Sequence, residues 1–573
     1  MSPEPPTSHA ATAIFNVGLL LAKVAAERPD QVAVAMPTGR DKQGKRQYRS
    51  VTFSQLEEDS NRLAAGMAKM GVTPGTRLAL MVKPSIEFVS LVFALFKVGA
   101  VSILIDPGMG RKNLLGCLDQ AQPQGFVAIS LAQAVRVFCG RRYRAARHNI
   151  TVGKRWFWGG PTLEDLRQTD PTGFIPYQAA ADDQAAIIFT SGSTGPPKGV
   201  EFRHEGFMQQ VRQIQEFYGI EPGEIDLPAF PLFGLFNSAM GVMSIIPDMD
   251  ASRPASVDPR NIIEAMYDWE VTQSFASPAV WNVVGRFCEA EKIQLPTLRR
   301  ALSAGAPVPP HVLRRLKQAM HPDGDIHTPY GATEALPVAS IAASEVLGGT
   351  ELKSATGAGT CVGRRFSGIQ WKVIAIEDYP IANLADATEL PPGEIGELIV
   401  SGPVVTRRYA TSDEATRLAK IAGDSGELWH RMGDVGYLDT EDRFWFCGRK
   451  THRVQTAAGV MYTIPVEAIF NQHPAAFRCA LVGIGPVGSQ VPVVVVEPYS
   501  ENYPNTQEEM RKLERELGDL AAANEKSAPV RHFLVHPSLP VDIRHNSKIF
   551  REKLAAWADA RLGAQLGATL EGS

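Results

Sequence analysis

The chain has no uninterrupted apolar run long enough to cross a bilayer, no closely spaced cysteines and almost no surplus of charge. Its most membrane-like stretch, 88–105, is broken by Lys97 and Gly99, whereas a spanning helix needs about 20 mostly apolar residues. That stretch reads as a buried helix ending near Gly99 and then a buried strand over 101–105. The six cysteines (Cys117, Cys139, Cys288, Cys361, Cys447, Cys479) form no C-x-x-C pair and no zinc-ligand spacing. They read as small buried hydrophobes of a reducing cytoplasm. The first eleven residues carry Pro and Glu where a secretory peptide places positive charge, so a cytoplasmic location is expected. With 58 Lys+Arg against 61 Asp+Glu the formal charge is −3, too little to gather nucleic acid or an anionic membrane through the net field. An anionic substrate must be held by local groups.

What is present is length and rhythm. A chain of 573 residues exceeds the roughly 250–300 at which one hydrophobic core stops growing, so at least two domains are expected. From about residue 16 to 183, helical stretches such as 54–70 alternate with short apolar runs such as 77–82 and 101–105, the pattern of an α/β sandwich on largely parallel sheets. A similar rhythm continues to about 370. Short β-rich runs at 371–376, 396–401 and 444–447, separated by Gly, Pro and Asp turns, then suggest a small barrel or meander. Past Gly448 a compact α/β pattern returns, with apolar runs at 480–482 and 491–496 and a Glu/Lys-rich helix over 507–524. The predicted organisation is a large N-terminal unit over 1–448, its β-rich part at about 370–448, and a smaller mobile C-terminal α/β unit over 449–573. There is no solenoid repeat.

The strongest chemical signal follows an apolar strand over 183–189. Thr190, Ser191, Gly192, Ser193, Thr194 and Gly195 lead through two prolines to Lys198 and Gly199. Small residues let backbone N–H groups approach phosphate oxygens, hydroxyls add donors, and Lys198 supplies a point charge. The run is a phosphate cradle, and without a Gly-Lys-Ser/Thr ending it is not a Walker loop.

These residues resemble the phosphate-binding signature of the adenylate-forming (acyl-CoA synthetase and luciferase) superfamily, and further motifs appear in that family's order. Ser303, Ala304, Gly305, Ala306 and Pro307 are similar to the segment that lines adenine. Tyr330, Gly331, Ala332, Thr333 and Glu334 match the next signature. The resemblance implies that Tyr330 stacks on adenine, that Thr333 contacts the α-phosphate, and that Glu334, with Thr190, holds Mg²⁺. Asp434 corresponds to the ribose-binding acid, Arg449 to the arginine closing the large domain, and Lys548 to the adenylation lysine. ATP and Mg²⁺ are the implied cofactors. Physical chemistry agrees with these roles, because a carboxylate attacking a phosphorus meets like charge, and Lys198, Lys548 and Mg²⁺ would offset it.

The sequence also departs from the family. Thr451 stands at the pivot where Asp or Lys is usual, and one extra residue lies between Arg449 and Pro465, near Gly459. The lysine motif reads Arg544-His545-Asn546-Ser547-Lys548, and no His stands at Phe233 or Gly234. An apolar acyl wall of Phe233, Gly234, Phe236, Met240 and Met243, beside Ser303 and Ala304, suits a long alkyl chain. Together the departures resemble the olefin β-lactone synthetases of bacterial long-chain hydrocarbon biosynthesis. That resemblance implies adenylation of a long-chain 2-alkyl-3-hydroxy acid, ring closure without CoA, and pathway partners: a thiolase-like enzyme, a reductase and a β-lactone decarboxylase. The alternative is a long-chain acyl-CoA or acyl-AMP ligase. A non-catalytic nucleotide sensor is disfavoured by the presence of Lys198, Glu334 and Lys548.

Overall fold

The computed structural model describes residues 15–190, 196–229, 234–542 and 548–570. Two sheets dominate the first 370 residues. In the six-stranded one, His148–Val152, Gly125–Ile129, Arg77–Met81, Val101–Leu104 and Gln184–Phe189 run parallel, and Gly199–Arg203 closes the edge antiparallel. The nine-stranded one has a parallel centre, from Val32–Arg40 through Met243–Ile245, Ile225–Asp226, Gln273–Ala276 and Arg300–Ser303 to Asp325–Ala332, with antiparallel strands at both edges. Parallel sheets need cover on both faces, and the helix Ile86–Val98 supplies it between them. Ser85 caps it by accepting from Phe88 N, and Gly99, at φ 75°, ends it. Phe88, Val92 and Phe96 enter one core cluster while Ile86, Val89 and Phe93 enter another, as a helix apolar on all sides should. Lys97 is fully buried and bonded to Glu57 (2.6 Å), Ser60 (2.8 Å) and Asn61 (2.8 Å). The polar residue that breaks the apolar run is thus paired inside the core.

The β-rich unit expected near 370–448 is an antiparallel sheet of Thr360–Cys361, Phe444–Arg449, Leu428–Leu438, Gly396–Ser401 and Gln370–Ile374, with Lys420–Ala422 paired to Leu428–Leu438. Its two end strands do not pair with each other, so it is an open sheet rather than a closed barrel. After residue 450 come a small hairpin, Val454–Thr456 with Gly459–Met461, and a three-stranded sheet of Ala476–Ile484, Val491–Pro498 and His532–Val535. The helices Thr463–Phe470, Gln507–Ala522 and Arg551–Leu570 accompany them. Two hydrophobic clusters here draw only on residues beyond 450. All six cysteines are free thiols and five are buried. No helix among the described residues is long and apolar enough to cross a membrane.

Candidate active site

Loops leaving the carboxyl ends of parallel strands are where open α/β sheets present ligand sites. A continuous cleft of about 2840 Å³ lies there, lined by Thr190, Lys198, Ser303 to Pro307, Tyr330 to Glu334, Asp434, Arg449, Thr451 and Lys548. Sequence positions far apart are therefore brought to one cavity. Ser191, Gly192, Ser193, Thr194, Gly195 and Phe233 lie outside the described residues.

The loop that follows the strand Gln184–Phe189 is closed at its base by its own ends. Thr190 N donates to the Lys198 carbonyl (3.0 Å), and Lys198 N donates to Thr190 Oγ1 (3.4 Å). The strand after it is stitched to a neighbouring loop, with Gly199 N donating to Thr411 Oγ1 (2.9 Å) and Ala410 N to the Gly199 carbonyl (2.7 Å). That contact places the Lys198 ammonium 5.3 Å from the centre of the Tyr409 ring.

Thr333 and Glu334 form the two-residue turn between Asp325–Ala332 and Ala335–Ala342. Gly331 is required there, since a Cβ would lie 2.6 Å from the Ala335 carbonyl oxygen. Tyr409 Oη donates to Glu334 Oε1 (2.6 Å), while Thr406 N (2.8 Å) and Thr406 Oγ1 (2.9 Å) donate to the Glu334 carbonyl. Burial, then the Glu334 carboxylate, holds the Tyr409 phenol far above its ordinary pKa, so it stays a donor. Lys420 donates in turn to the Thr406 carbonyl. Burial lowers its pKa to about 7 against the attraction of Glu334. Tyr409, Thr406 and Lys420 carry no motif and sequence reasoning missed them; only the fold brings them to Glu334.

A second polar group centres on Asp434, which faces Arg449 across antiparallel strands. Arg449 Nη1 donates to Asp434 Oδ1 at 2.7 Å and Tyr330 Oη to Asp434 Oδ2 at 2.5 Å. Burial first, and the neighbouring carboxylate second, push the Tyr330 pKa well up. The Asp434 charge raises that of Arg449. Each carboxylate oxygen has one protein donor and retains acceptor capacity for a ligand hydroxyl. His430, which also lines the cleft, is held neutral by burial and by Lys420, with Nδ1 at 3.2 Å from the Ala419 carbonyl.

Lys548 comes from the far end of the chain. Its backbone is pinned by Asp542, with Lys548 N to Asp542 Oδ1 at 2.9 Å and Asp542 N to the Lys548 carbonyl at 3.0 Å. Thr451 sits in the turn Lys450–His452, where Lys450 Nζ donates to Glu397 Oε2 (3.2 Å) and to the Glu377 carbonyl (2.9 Å).

The apolar part of the cleft differs from expectation. Phe236 lines it, but Gly234, Met240 and Met243 do not. Gly234 is pressed against Pro228, Met240 faces a separate 40 Å³ void, and Met243 belongs to a core cluster. The wall is built instead by Phe88, Val92, Phe93 and Phe96 of the buried helix, with Phe202, Phe207 and Ala239. Phe202 and Phe207 stack at 5.1 Å between ring centres, and Phe207 meets Phe236 at 5.8 Å. The largely apolar helix was the available signal; that one side of it meets a cavity was not legible.

No group of three or more His, Cys, Asp or Glu side chains suited to a metal occurs among the described residues. A lone carboxylate at Glu334, in the cleft that Thr190 also lines, fits Mg²⁺ brought in by a nucleotide, since Mg²⁺ commonly takes one or two protein carboxylates plus phosphates and water.

Comparison with known proteins agrees with this arrangement. The profile of the family described as AMP-binding enzyme matches residues 21–410. An olefin beta-lactone synthetase of Xanthomonas campestris is 46% identical over 553 residues, covering 96% of this chain and 98% of that protein. One from Stenotrophomonas maltophilia is 46% identical over 555 residues, with the same coverage. Among solved structures, the amide bond synthetase McbA from Marinactinospora thermotolerans superposes with a TM-score of 0.76 at 20% identity, over 94% of this chain and 99% of that one. The order of motifs, their convergence on one cleft and these matches have a single reading: the chain belongs to the AMP-binding enzyme family.

Proposed function

We propose that the protein adenylates a long-chain 2-alkyl-3-hydroxyalkanoic acid with ATP and closes the product to a β-lactone, a step of olefin biosynthesis. The observation that carries this is the likeness, along nearly the whole chain, to two olefin beta-lactone synthetases. In the first step a carboxylate oxygen attacks the α-phosphorus and pyrophosphate leaves. Lys198 and Lys548 supply positive charge where negative charge crowds, an electrostatic contribution that grows in a water-poor cleft. Thr333 donates to the α-phosphate. Mg²⁺, held by Glu334 and Thr190, adds charge neutralisation when bound. Tyr330, its hydroxyl tied to Asp434, offers its ring face to adenine, while Asp434 takes the ribose hydroxyls. Ser303 to Pro307 line the adenine side and meet the acyl branch.

In the second step the 3-hydroxyl oxygen attacks the activated carbonyl carbon. The four-membered ring closes as the carbonyl carbon's bond to the phosphate oxygen breaks, AMP leaves with that oxygen, and the hydroxyl proton passes to the departing phosphate. Activation comes first because a free carboxylate is a poor electrophile. Nucleophile and electrophile share one molecule, so orientation replaces a second substrate. The apolar wall from Phe88 to Phe96 holds alkyl chain against aromatic rings, as hydrophobic pockets do. Residues 449–573 serve as a lid on 1–448, with the Thr451 turn as pivot, and Lys548 is delivered by that lid. The enzyme acts in the cytoplasm beside a thiolase-like enzyme, a reductase and a β-lactone decarboxylase, the last consuming the strained product.

An acid of equal length lacking the 3-hydroxyl tests this reading. It should yield pyrophosphate and one equivalent of enzyme-bound acyl-AMP, whereas the hydroxy acid turns over to AMP. Equal steady AMP release from both acids would overturn it.

A further inference from the structure

One face of the molecule departs from its near-neutral balance. Between Ser130 and Gly160 the chain holds seven Lys/Arg (Arg136, Arg141, Arg142, Arg144, Arg147, Lys154, Arg155) and no Asp or Glu. The same segment exposes large apolar side chains: Leu131 (66% exposed), Phe138 (81%), Trp156 (51%) and Phe157 (67%), with Val135 (44%). Leu131, Val135 and Phe138 recur at helical spacing on the helix Ser130–Phe138, so they share one side of it. Trp156 and Phe157 come from the loop after the edge strand His148–Val152.

The two pieces form one surface. Ser130 Oγ donates to the Lys154 carbonyl (2.5 Å), and the Phe138 and Phe157 rings are 6.3 Å apart. The buried Trp158 packs behind Trp156 (5.4 Å) and Phe157 (5.1 Å) and donates to Thr151 Oγ1 (2.9 Å), fixing the loop to the strand. Asp119, from the neighbouring helix Arg111–Ala121, pairs with Arg142. Arg141, Arg144, Arg147, Lys154 and Arg155 remain exposed. The face adjoins the cleft, because Ile129 and Ala132 line that cavity immediately beside Leu131.

We propose that this face docks on the anionic surface of a lipid bilayer, with Phe138, Trp156 and Phe157 entering the headgroup region and the arginines and Lys154 meeting acidic lipid. Contiguous exposed apolar side chains mark interaction sites. Trp and Phe ringed by Arg and Lys complement a surface that is apolar below and negative above. The placement beside the cleft gives docking a use, which rests on the proposed function: a long-chain acid dissolves in the bilayer rather than in water, and docking would bring the cavity close to its source. The absence of a spanning helix among the described residues makes the association peripheral.

The test is sedimentation of the full-length protein with vesicles of phosphatidylcholine, alone or mixed equally with phosphatidylglycerol. The wild type should pellet with the mixed vesicles, weakly with the neutral ones, and less as salt rises. A Phe138→Ser/Trp156→Ser/Phe157→Ser variant and, separately, an Arg141→Glu/Arg144→Glu variant should each lose on the order of tenfold or more of that partitioning. Both should keep wild-type turnover of a short, water-soluble hydroxy acid, since none of these side chains lines the cleft. Absence of vesicle binding, or binding unchanged in both variants, overturns the proposal. So does a wild type that stays off vesicles but self-associates through this face, with the variants monomeric. Vesicle binding without lactone formation would leave docking standing and refute the chemistry alone.

Discussion

The side chains proposed for chemistry do not share one kind of task. Lys548 would stabilise charge that appears mainly during phosphoryl attack, so Lys548→Ala should abolish pyrophosphate release while ATP still binds, with adenine and ribose contacts intact. Stopped-flow pyrophosphate release near the wild-type rate would remove the lysine from the mechanism. Tyr409 would act through Glu334. Tyr409→Phe deletes the 2.6 Å bond to that carboxylate and keeps the ring against Lys198, at a cost of about 1 kcal/mol. A several-fold loss in kcat that shrinks as Mg²⁺ is raised is expected, and an Mg²⁺-independent loss would assign Tyr409 to packing only. Lys198, Glu334, Asp434 and Lys548, which line one cleft, could be picked out as candidates because each stands in a motif with a fixed neighbour pattern. Tyr409 and His430 were not, since an isolated Tyr or His in a strand-rich region has the same local pattern whether it faces a cleft or a core.

At the scale of elements, the sequence pattern placed most pieces to within a residue or two. Helix 54–70 is observed as Phe53–Lys69, closed by a capping box between Thr52 and Gln55. Strand 101–105 is observed as Val101–Leu104. Which residues of an apolar element meet a cavity could not be read, because burial in a core and burial against a ligand chain select the same side chains. The helix His204–Tyr218 shows a different strain on the sequence. His204 at its start is fully buried, lies 5.7 Å from the Phe96 ring in edge geometry, and has no hydrogen-bond partner on either ring nitrogen among the described residues. Burial lowers its pKa to about 4, only partly opposed by Asp183. The unfolded chain then binds a proton that the folded chain refuses between about pH 6.5 and 4, so stability falls as pH falls through that window. Urea titrations of the wild type and His204→Leu should diverge by about 2–3 kcal/mol on going from pH 7 to 4, the wild type losing more. Parallel loss in both proteins would mean that His204 has another way to accept the proton.

Taken whole, the molecule is two α/β sheets and an open antiparallel sheet facing one cleft, with a further α/β segment contributing Lys548. The alternation of helices and strands made the class readable, while the antiparallel sheet also draws Thr360–Cys361 from before the change of rhythm near 370. The open edge of the antiparallel sheet was not readable, because strand spacing does not say whether the first and last strands meet. Membership of the AMP-binding enzyme family rests on a match over 21–410 and on near full-length relatives; the β-lactone chemistry depends on the fate of the acyl-AMP. Mass spectrometry of the products from a long-chain 2-alkyl-3-hydroxy acid, ATP and Mg²⁺, with and without CoA, tests that directly. Ring closure on the enzyme gives β-lactone, AMP and pyrophosphate at the same rate in both reactions and no thioester. Turnover that requires CoA and yields an acyl thioester would contradict it.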